Sequence, residues 1–212
     1  MSDITQLQGT IGQETAQDGT SHAVTLTRSV ALRTGNSQAT LQDAVERGNA
    51  YSVANNAGVT SQAGLSATTP VLTLANPAGS GVNGVIWYAG ATFSVVFAAV
   101  ATVEVAVGTD TAAAAVSGTL TTTHRNLKLG AGLGNKVIPY LAATLPAAPV
   151  GISLLGVGLT GAVNLMTRNP TMERWFNGAI ILQPGTNITI QTSAASGASG
   201  MWCEFIWEEV AV

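Results

Sequence analysis

Charge is what this sequence has least of. Asp, Glu, Lys and Arg make up 9% of its 212 residues, against roughly 25% in an ordinary soluble domain. The basic residues are scattered and form no run, and the formal net charge is −3. Nucleic-acid binding draws on counter-ions released by clustered Lys and Arg, so that class of partner is disfavoured. Cys203 is the only cysteine, which excludes an intrachain disulfide and a cysteine-built metal cluster. It reads as a small buried apolar side chain. Histidine is limited to His22 and His124, far apart in the chain. With no Gly-x-Ser-x-Gly elbow beside them, a nucleophilic triad gains no support. The opening MSDITQLQGT lacks the basic and apolar regions of an export signal, so synthesis and assembly in a cytoplasm are expected.

Apolar residues are plentiful, at 46%, so the chain has the material for a core and is not of disordered composition. A surface this poor in charge stays soluble through Thr, Ser, Asn and Gln, or by lying against neighbours. One stretch, between positions 136 and 168, carries no charge at all and is long enough to cross a bilayer. Pro139, Pro146 and Pro149, with Gly151, Gly156, Gly158 and Gly161, break it up. No membrane span is expected.

The first 35 or so residues are polar and weakly periodic, which reads as an extended N-terminal arm. A short helix is expected over about 40–47. Thr40 and Asp43 have N-cap spacing, Leu41 and Val45 share one face, and Gly48 suits the left-handed position after the last turn. So short a helix must pack on something, with Leu41 and Val45 as the docking residues. Residues 49–69 are rich in Gly, Asn and Ser and read as a linker. The expected organisation is an arm, helix and linker over 1–68 and a β-domain over 69–212.

From there short apolar or alternating runs recur between turn residues. Strands are expected at 70–75, 84–89, 92–98, 101–107, 118–123, 150–157, 178–182, 186–192 and 201–209. In 186–192, Ile188 and Ile190 alternate with Asn187, Thr189 and Gln191. Pro184 and Gly185 read as a hairpin turn before that strand. The fold class is therefore mainly β: a jelly-roll-like β-sandwich with an N-terminal extended arm and one short helix. In the last strand, Cys203, Phe205 and Trp207 take one face, leaving Trp202, Glu204, Ile206 and Glu208 on the other. Trp202 and Ile206 are odd residues for a wet face. Cover by another subunit, or by a loop of the same chain, accounts for them.

Chemistry is scarce. Gly79, Gly81 and Gly84 have the spacing of a dinucleotide fingerprint, with Glu104 at the distance of a ribose contact. That mechanism needs a helix to open at the glycines, and the strand-like Val85, Ile86, Trp87 and Tyr88 follow instead. Gly156, Gly158 and Gly161 repeat the spacing without the acidic residue. Glu208 and Glu209, adjacent on a strand, point to opposite faces and cannot act as a pair. Asp3, Asp18 and Asp110 are isolated, with no calcium-loop pattern. The acceptor-like Asn187-Ile-Thr is discounted in the absence of an export signal. Glu173 and Arg174 beside Trp175 and Phe176 suggest an anchoring corner. No catalytic, cofactor-binding or metal residues are assigned.

Three segments carry a resemblance. DAVERGNAYS (43–52) followed by AGVT (57–60), LTLANPAGSG (72–81), and GAIILQPGTNITIQT (178–192) with the Trp/Glu-rich last strand resemble stretches of tailed-phage virion proteins of the jelly-roll decoration, or head-associated, type. Together they take in about 50 of the 212 residues, roughly a quarter of the chain. The resemblance implies a small structural protein, often trimeric, on the head or the tail. Where such proteins often carry Lys or Arg after the Gly-Ser-Gly turn, this chain has Val82 and Asn83, so no role is transferred there.

The expectation is thus a non-enzymatic capsid decoration (cement) protein, located in the virion. It would associate as a homotrimer and contact the major capsid protein or neighbouring virion proteins, without nucleic acid, membrane or cofactor. The interface residues expected are Leu41, Val45, Trp175, Phe176, Trp202 and Ile206. A tail, baseplate or receptor-binding tip subunit is the alternative, with Trp175 and Phe176 as the aromatic pair for a host ligand. A secreted glycan-binding or glycan-active domain ranks lower, for want of an export signal and of carboxylates at hydrolase spacing.

Overall fold

The structure is a computed structural model, and it describes residues 41–212 except 61–63, 95–96, 98, 112–113, 159–171 and 194–199. The expected N-terminal arm, Thr40 and His22 lie outside the described residues. Among the described residues one helix, α1 (Gln42–Arg47), precedes eleven strands: β1 (Ala50–Ala54), β2 (Leu72–Asn76), β3 (Val82–Phe93), β4 (Ala101–Thr109), β5 (Ser117–Leu120), β6 (Arg125–Asn126), β7 (Ile138–Thr144), β8 (Val150–Gly158), β9 (Met172–Leu182), β10 (Thr186–Thr192) and β11 (Met201–Ala211). They form two antiparallel sheets, ordered β6-β1-β11-β3-β9 and β5-β7-β2-β10-β4-β8.

Setting β5, β6 and β7 aside leaves eight strands that pair first with last, second with seventh, third with sixth and fourth with fifth. This is an antiparallel ribbon rolled into two facing sheets, the jelly-roll wind. The segment between β4 and β8 supplies the three extra strands. β6 borders β1 in the first sheet, whereas β7 borders β2 in the second and β5 lies beyond it. One side of the sandwich is extended in this way. On the opposite side β8 and β9 end their sheets.

Strand alternation builds the core. Tyr51, Val53, Ile86, Ala89, Ala91, Phe93, Met201, Cys203, Phe205 and Trp207 point inward from the first sheet. Leu72, Leu74, Val103, Val105, Ile188 and Ile190 meet them from the second. Tyr51 stacks on Trp207 with ring centroids 5.5 Å apart, and Phe97 meets Phe93 edge-on at 4.4 Å. β-branched and aromatic residues suit such a pleated, half-buried surface, which is why these segments are strands.

Several expectations change. The segment read as a linker contains β1, and the sandwich therefore begins well before residue 69. Its inward residues, Tyr51 and Val53, are buried between small neighbours. Strands expected at 84–89 and from 92 are one continuous β3, and β9 begins at Met172, not 178. Gln183, Pro184, Gly185 and Thr186 do make a tight turn, closed by the Thr186 N–H on the Gln183 carbonyl at 3.1 Å. It is not a hairpin turn, because β9 and β10 belong to different sheets. Gly185 has φ 81°, as a Pro-Gly type II turn requires. Asn76 Nδ2 donates to the carbonyls of Val82 and Leu182, each at 2.8 Å, and fixes this corner.

The helix is also shifted. Leu41 occupies the N-cap position and makes no side-chain cap bond, and Asp43 pairs with Arg47 one turn on. Ala44 is the buried residue of α1, while Leu41 and Val45 are half-buried. Gly48 takes the left-handed C-cap as expected, with φ 77°. Lys128 Nζ on the Glu46 carbonyl and Asn126 Nδ2 on that of Gly48 tie the helix end to the segment around β6. Within the uncharged stretch after Lys136, Ile138–Thr144 and Val150–Gly158 form β7 and β8. Among the described residues no helix is long and apolar enough to cross a membrane.

Candidate functional site

The outer face of the first sheet brings polar and aromatic side chains together. Its register sets Glu204, Gly90 and Glu173 side by side across β11, β3 and β9. The next row is Ile206, Tyr88 and Trp175. Because Gly90 has no side chain, the Tyr88 hydroxyl leans over β3. A Cβ at Gly90 would stand 2.6 Å from that hydroxyl and 3.0 Å from Glu204 Oε1. The hydroxyl donates to Glu173 Oε2 at 2.9 Å. Burial, reinforced by Glu204 and Glu173, holds Tyr88 well above the ordinary tyrosine pKa. Trp175 tilts over Tyr88 with ring centroids 4.9 Å apart and leaves about half its surface in solvent. A shallow hollow of about 150 Å³ opens beside Trp202, bounded by Ala54, Asn55, Thr92 and Glu204.

The side of the sandwich closed by β8 and β9 has a different character. Val150, Ile152, Leu154 and Val157 of β8 are exposed, and so are Trp175 and Ile181 of β9. Arg174 spans the gap between the two sheets: its Nη1 donates to Ser153 Oγ at 3.0 Å, and its guanidinium lies 5.8 Å from the Phe176 ring centre. Gly156 packs on Met172 so closely that a Cβ would meet the sulfur at 2.7 Å. Between Trp175 and Ile180, β9 carries extra residues relative to β3, with Asn177 and Gly178 at positive φ. This bulge re-aims the edge strand.

The expected interface residues fall in three places. Trp202 and Ile206 lie half-buried on the outer face of the first sheet, as the alternation of β11 implies, with Gly58 alongside the Trp202 indole. Trp175 and Phe176 sit on the β9 edge, Trp175 outward and Phe176 packed against the rim of the core. Val45 is in α1 and Leu41 at its N-cap. The aliphatic residues of β8 were not singled out in the sequence. An unbroken apolar run reads as a buried strand, and only the sheet order reveals that this one is an edge.

Groups with chemical potential are used structurally. Glu209 points inward and its carboxylate accepts the backbone N–H groups of Lys136 and Val137 at 2.8–2.9 Å, while Glu208 faces outward. His124 Nδ1 is 2.9 Å from the Thr121 carbonyl. Cys203 is buried, and burial pushes its thiol far above the usual range. Gly79 and Gly81 belong to the turn from β2 to β3, where no helix opens. No cluster of three or more His, Cys, Asp or Glu with metal-binding geometry occurs among the described residues. Comparisons with protein-family models, with curated proteins and with solved structures return no match.

Proposed function

We propose that this chain is a non-enzymatic structural subunit of a virus particle, a decoration (cement) protein on the head shell of a tailed phage. It would associate as a homotrimer and hold to the major capsid protein. The observation that carries the reading is the surface of the sandwich. Few charges cover it, and large apolar side chains of β8 and β9 reach solvent. Such a surface suits permanent contact with other protein better than life as a free monomer. The resemblance of the 43–60, 72–81 and 178–192 segments to phage virion proteins supplies the particular particle.

The test is direct. Light scattering on the purified chain should give a multiple of the 21.4 kDa monomer mass. Added to shells that lack it, the protein should bind and raise the temperature at which they rupture. A monomer that leaves shell stability unchanged overturns the proposal.

One observation favours a second reading, a receptor-binding subunit of the tail. Trp175 offers an exposed indole beside two carboxylates, an arrangement in which a sugar ring stacks while its hydroxyls donate to Glu173 and Glu204. Binding to host-surface glycans that Trp175→Ala abolishes, with shells unaffected, would select this reading instead.

A further inference from the structure

We infer that Asn177, in the bulge of β9, is a site of spontaneous deamidation, and that the fold singles it out from the other Asn-Gly pair of the chain. The inference stands on backbone geometry and is independent of the proposed function. The chemistry is intramolecular. The backbone nitrogen of the residue after Asn attacks the side-chain Cγ, an N–C bond forms, the C–N bond of the amide breaks, and ammonia leaves. Water then opens the cyclic imide at either carbonyl and leaves Asp or isoaspartate. No oxidant, metal or enzyme enters the balance.

Two features decide the rate. A side chain on the following residue obstructs the attack, so glycine, which has no Cβ, is the most permissive neighbour. Ring closure also turns the peptide out of its extended conformation, which a residue paired on both sides of a sheet can do only by breaking its ladder. The sequence has two Asn-Gly pairs, Asn83-Gly84 and Asn177-Gly178. By the first feature they are equal. The second separates them.

Asn83 and Gly84 sit within the ladder. β3 lies between β11 and β9. Asn83 is opposite Val210, and Gly84 is opposite Glu209 on one side and Leu182 on the other. Gly84 is buried, and a Cβ on it would stand 3.0 Å from Val137 Cγ2 and 3.4 Å from Leu182 Cβ. That peptide has neither freedom nor room to turn.

Asn177 and Gly178 lie outside the ladder. The pairing of β9 with β3 stops at Trp175 opposite Tyr88 and resumes at Ile180 opposite Ile86. Residues 176–179 therefore face the single residue Trp87, and the register gives Asn177 and Gly178 no partner in β3. β9 also ends its sheet, so no strand among the described residues borders its other side. Asn177 has φ 51° and Gly178 φ 80°, both already out of the extended region. Asn177 is exposed as well, which gives water access to the imide.

The product carries a new negative charge three residues from Arg174, whose guanidinium lies 5.8 Å from the Phe176 ring centre. It takes the formal net charge from −3 to −4. On a chain so poor in charge, that is a large relative change at one border of the first sheet. Isoaspartate also lengthens the backbone, at a point where the pairing is already interrupted.

The experiment ages the full chain in mildly alkaline buffer, folded in one sample and unfolded in urea in the other. Tryptic cleavage after Arg174 places Asn177 in the C-terminal peptide, and cleavage after Arg47 and Arg125 encloses Asn83. Mass spectrometry follows the gain of one mass unit at each site. In urea the two sites should convert at similar rates. In the folded chain Asn83 should be slowed relative to Asn177 by at least about tenfold, the factor set by one lost backbone hydrogen bond. Asn177→Gln, which would have to close a larger ring, should remove the acidic species that anion exchange resolves in the aged parent. Folded-state conversion at Asn177 as slow as at Asn83, or at both sites as fast as in urea, overturns the inference. So does an acidic species that persists in Asn177→Gln.

Discussion

Glu209 accepts the backbone N–H of Val137 at 2.8 Å, inside the sandwich. The same carboxylate accepts the N–H of Lys136 through both oxygens. β11 in one sheet is thereby tied to the entry of β7 in the other, at the end of the long segment that follows β4. Glu209→Ala leaves these donors without an acceptor. At ~1–3 kcal/mol for each buried group stranded, the expected loss is about 2–4 kcal/mol in urea unfolding. Glu208→Ala, one residue away on the outer face, should change stability by less than about 0.5 kcal/mol. Equal effects would show that the tie carries no weight.

All three tyrosines, Tyr51, Tyr88 and Tyr140, are raised above the ordinary pKa, with burial the largest cause in each. The unfolded chain ionises them near about 10, while the folded chain keeps them neutral to higher pH. Above that point the unfolded state binds fewer protons, so stability falls as pH rises. The contribution is complete below about pH 10 and is lost on the way up through the folded values. Thermal midpoints should therefore be insensitive to these groups below about pH 9 and drop steeply above about pH 10. The tyrosinate absorbance should rise at higher pH in the folded than in the unfolded chain. Tyr88→Phe should flatten the decline, and an unchanged slope would count against this account.

The Cys203 thiol points into the core between Met201 and Phe205, and burial makes its thiolate costly. Reactivity belongs to the thiolate. A disulfide exchange reagent should label nothing in the native protein over hours and one thiol per chain in denaturant. Labelling at a comparable rate in native buffer would mean that β11 opens readily, contrary to its central place between β1 and β3.

Alternation was legible where one strand face is apolar and the other polar, as in β10, or where two faces differ in kind, as in β11; the expected half-burial of β10 does not hold, because Asn187, Thr189 and Gln191 on its polar face are buried as well. Both were placed from sequence alone with the correct residues inward. β1 was hidden because Tyr51 and Val53 stand among Gly, Asn, Ser and Ala, too little apolar weight to mark a strand. Its burial comes from β11 and β6, distant in sequence. Pro184 and Gly185 specify a turn but not whether it returns to the same sheet, since that depends on which strands flank it. The pairing of Tyr88 with Glu173, and the gathering of apolar residues on β8 and β9, arise from strand order. No local pattern encodes that order.

Gly58 shows how tightly the chain is held where it leaves β1. Val59 and Met201 exchange backbone bonds at 2.9 and 3.0 Å, and Asn55 Nδ2 reaches the Met201 carbonyl at 3.1 Å. These draw the 55–59 segment against the start of β11. A Cβ on Gly58 would lie 2.4 Å from the Cα of Gly200, and backbone on both sides has no rotamer by which to yield. Gly58→Ala must therefore push the two segments apart and break the exchange at Val59. The expected cost is about 1–3 kcal/mol, the scale of overpacking, although the position is exposed and surface substitutions usually stay within about 0.5 kcal/mol. Ala57→Ser, next to it, should be neutral. Urea unfolding of the pair measures the difference, and hydrogen exchange at Val59 and Met201 should rise in Gly58→Ala alone. If both variants prove neutral, the close approach of Gly58 and Gly200 does not constrain this segment.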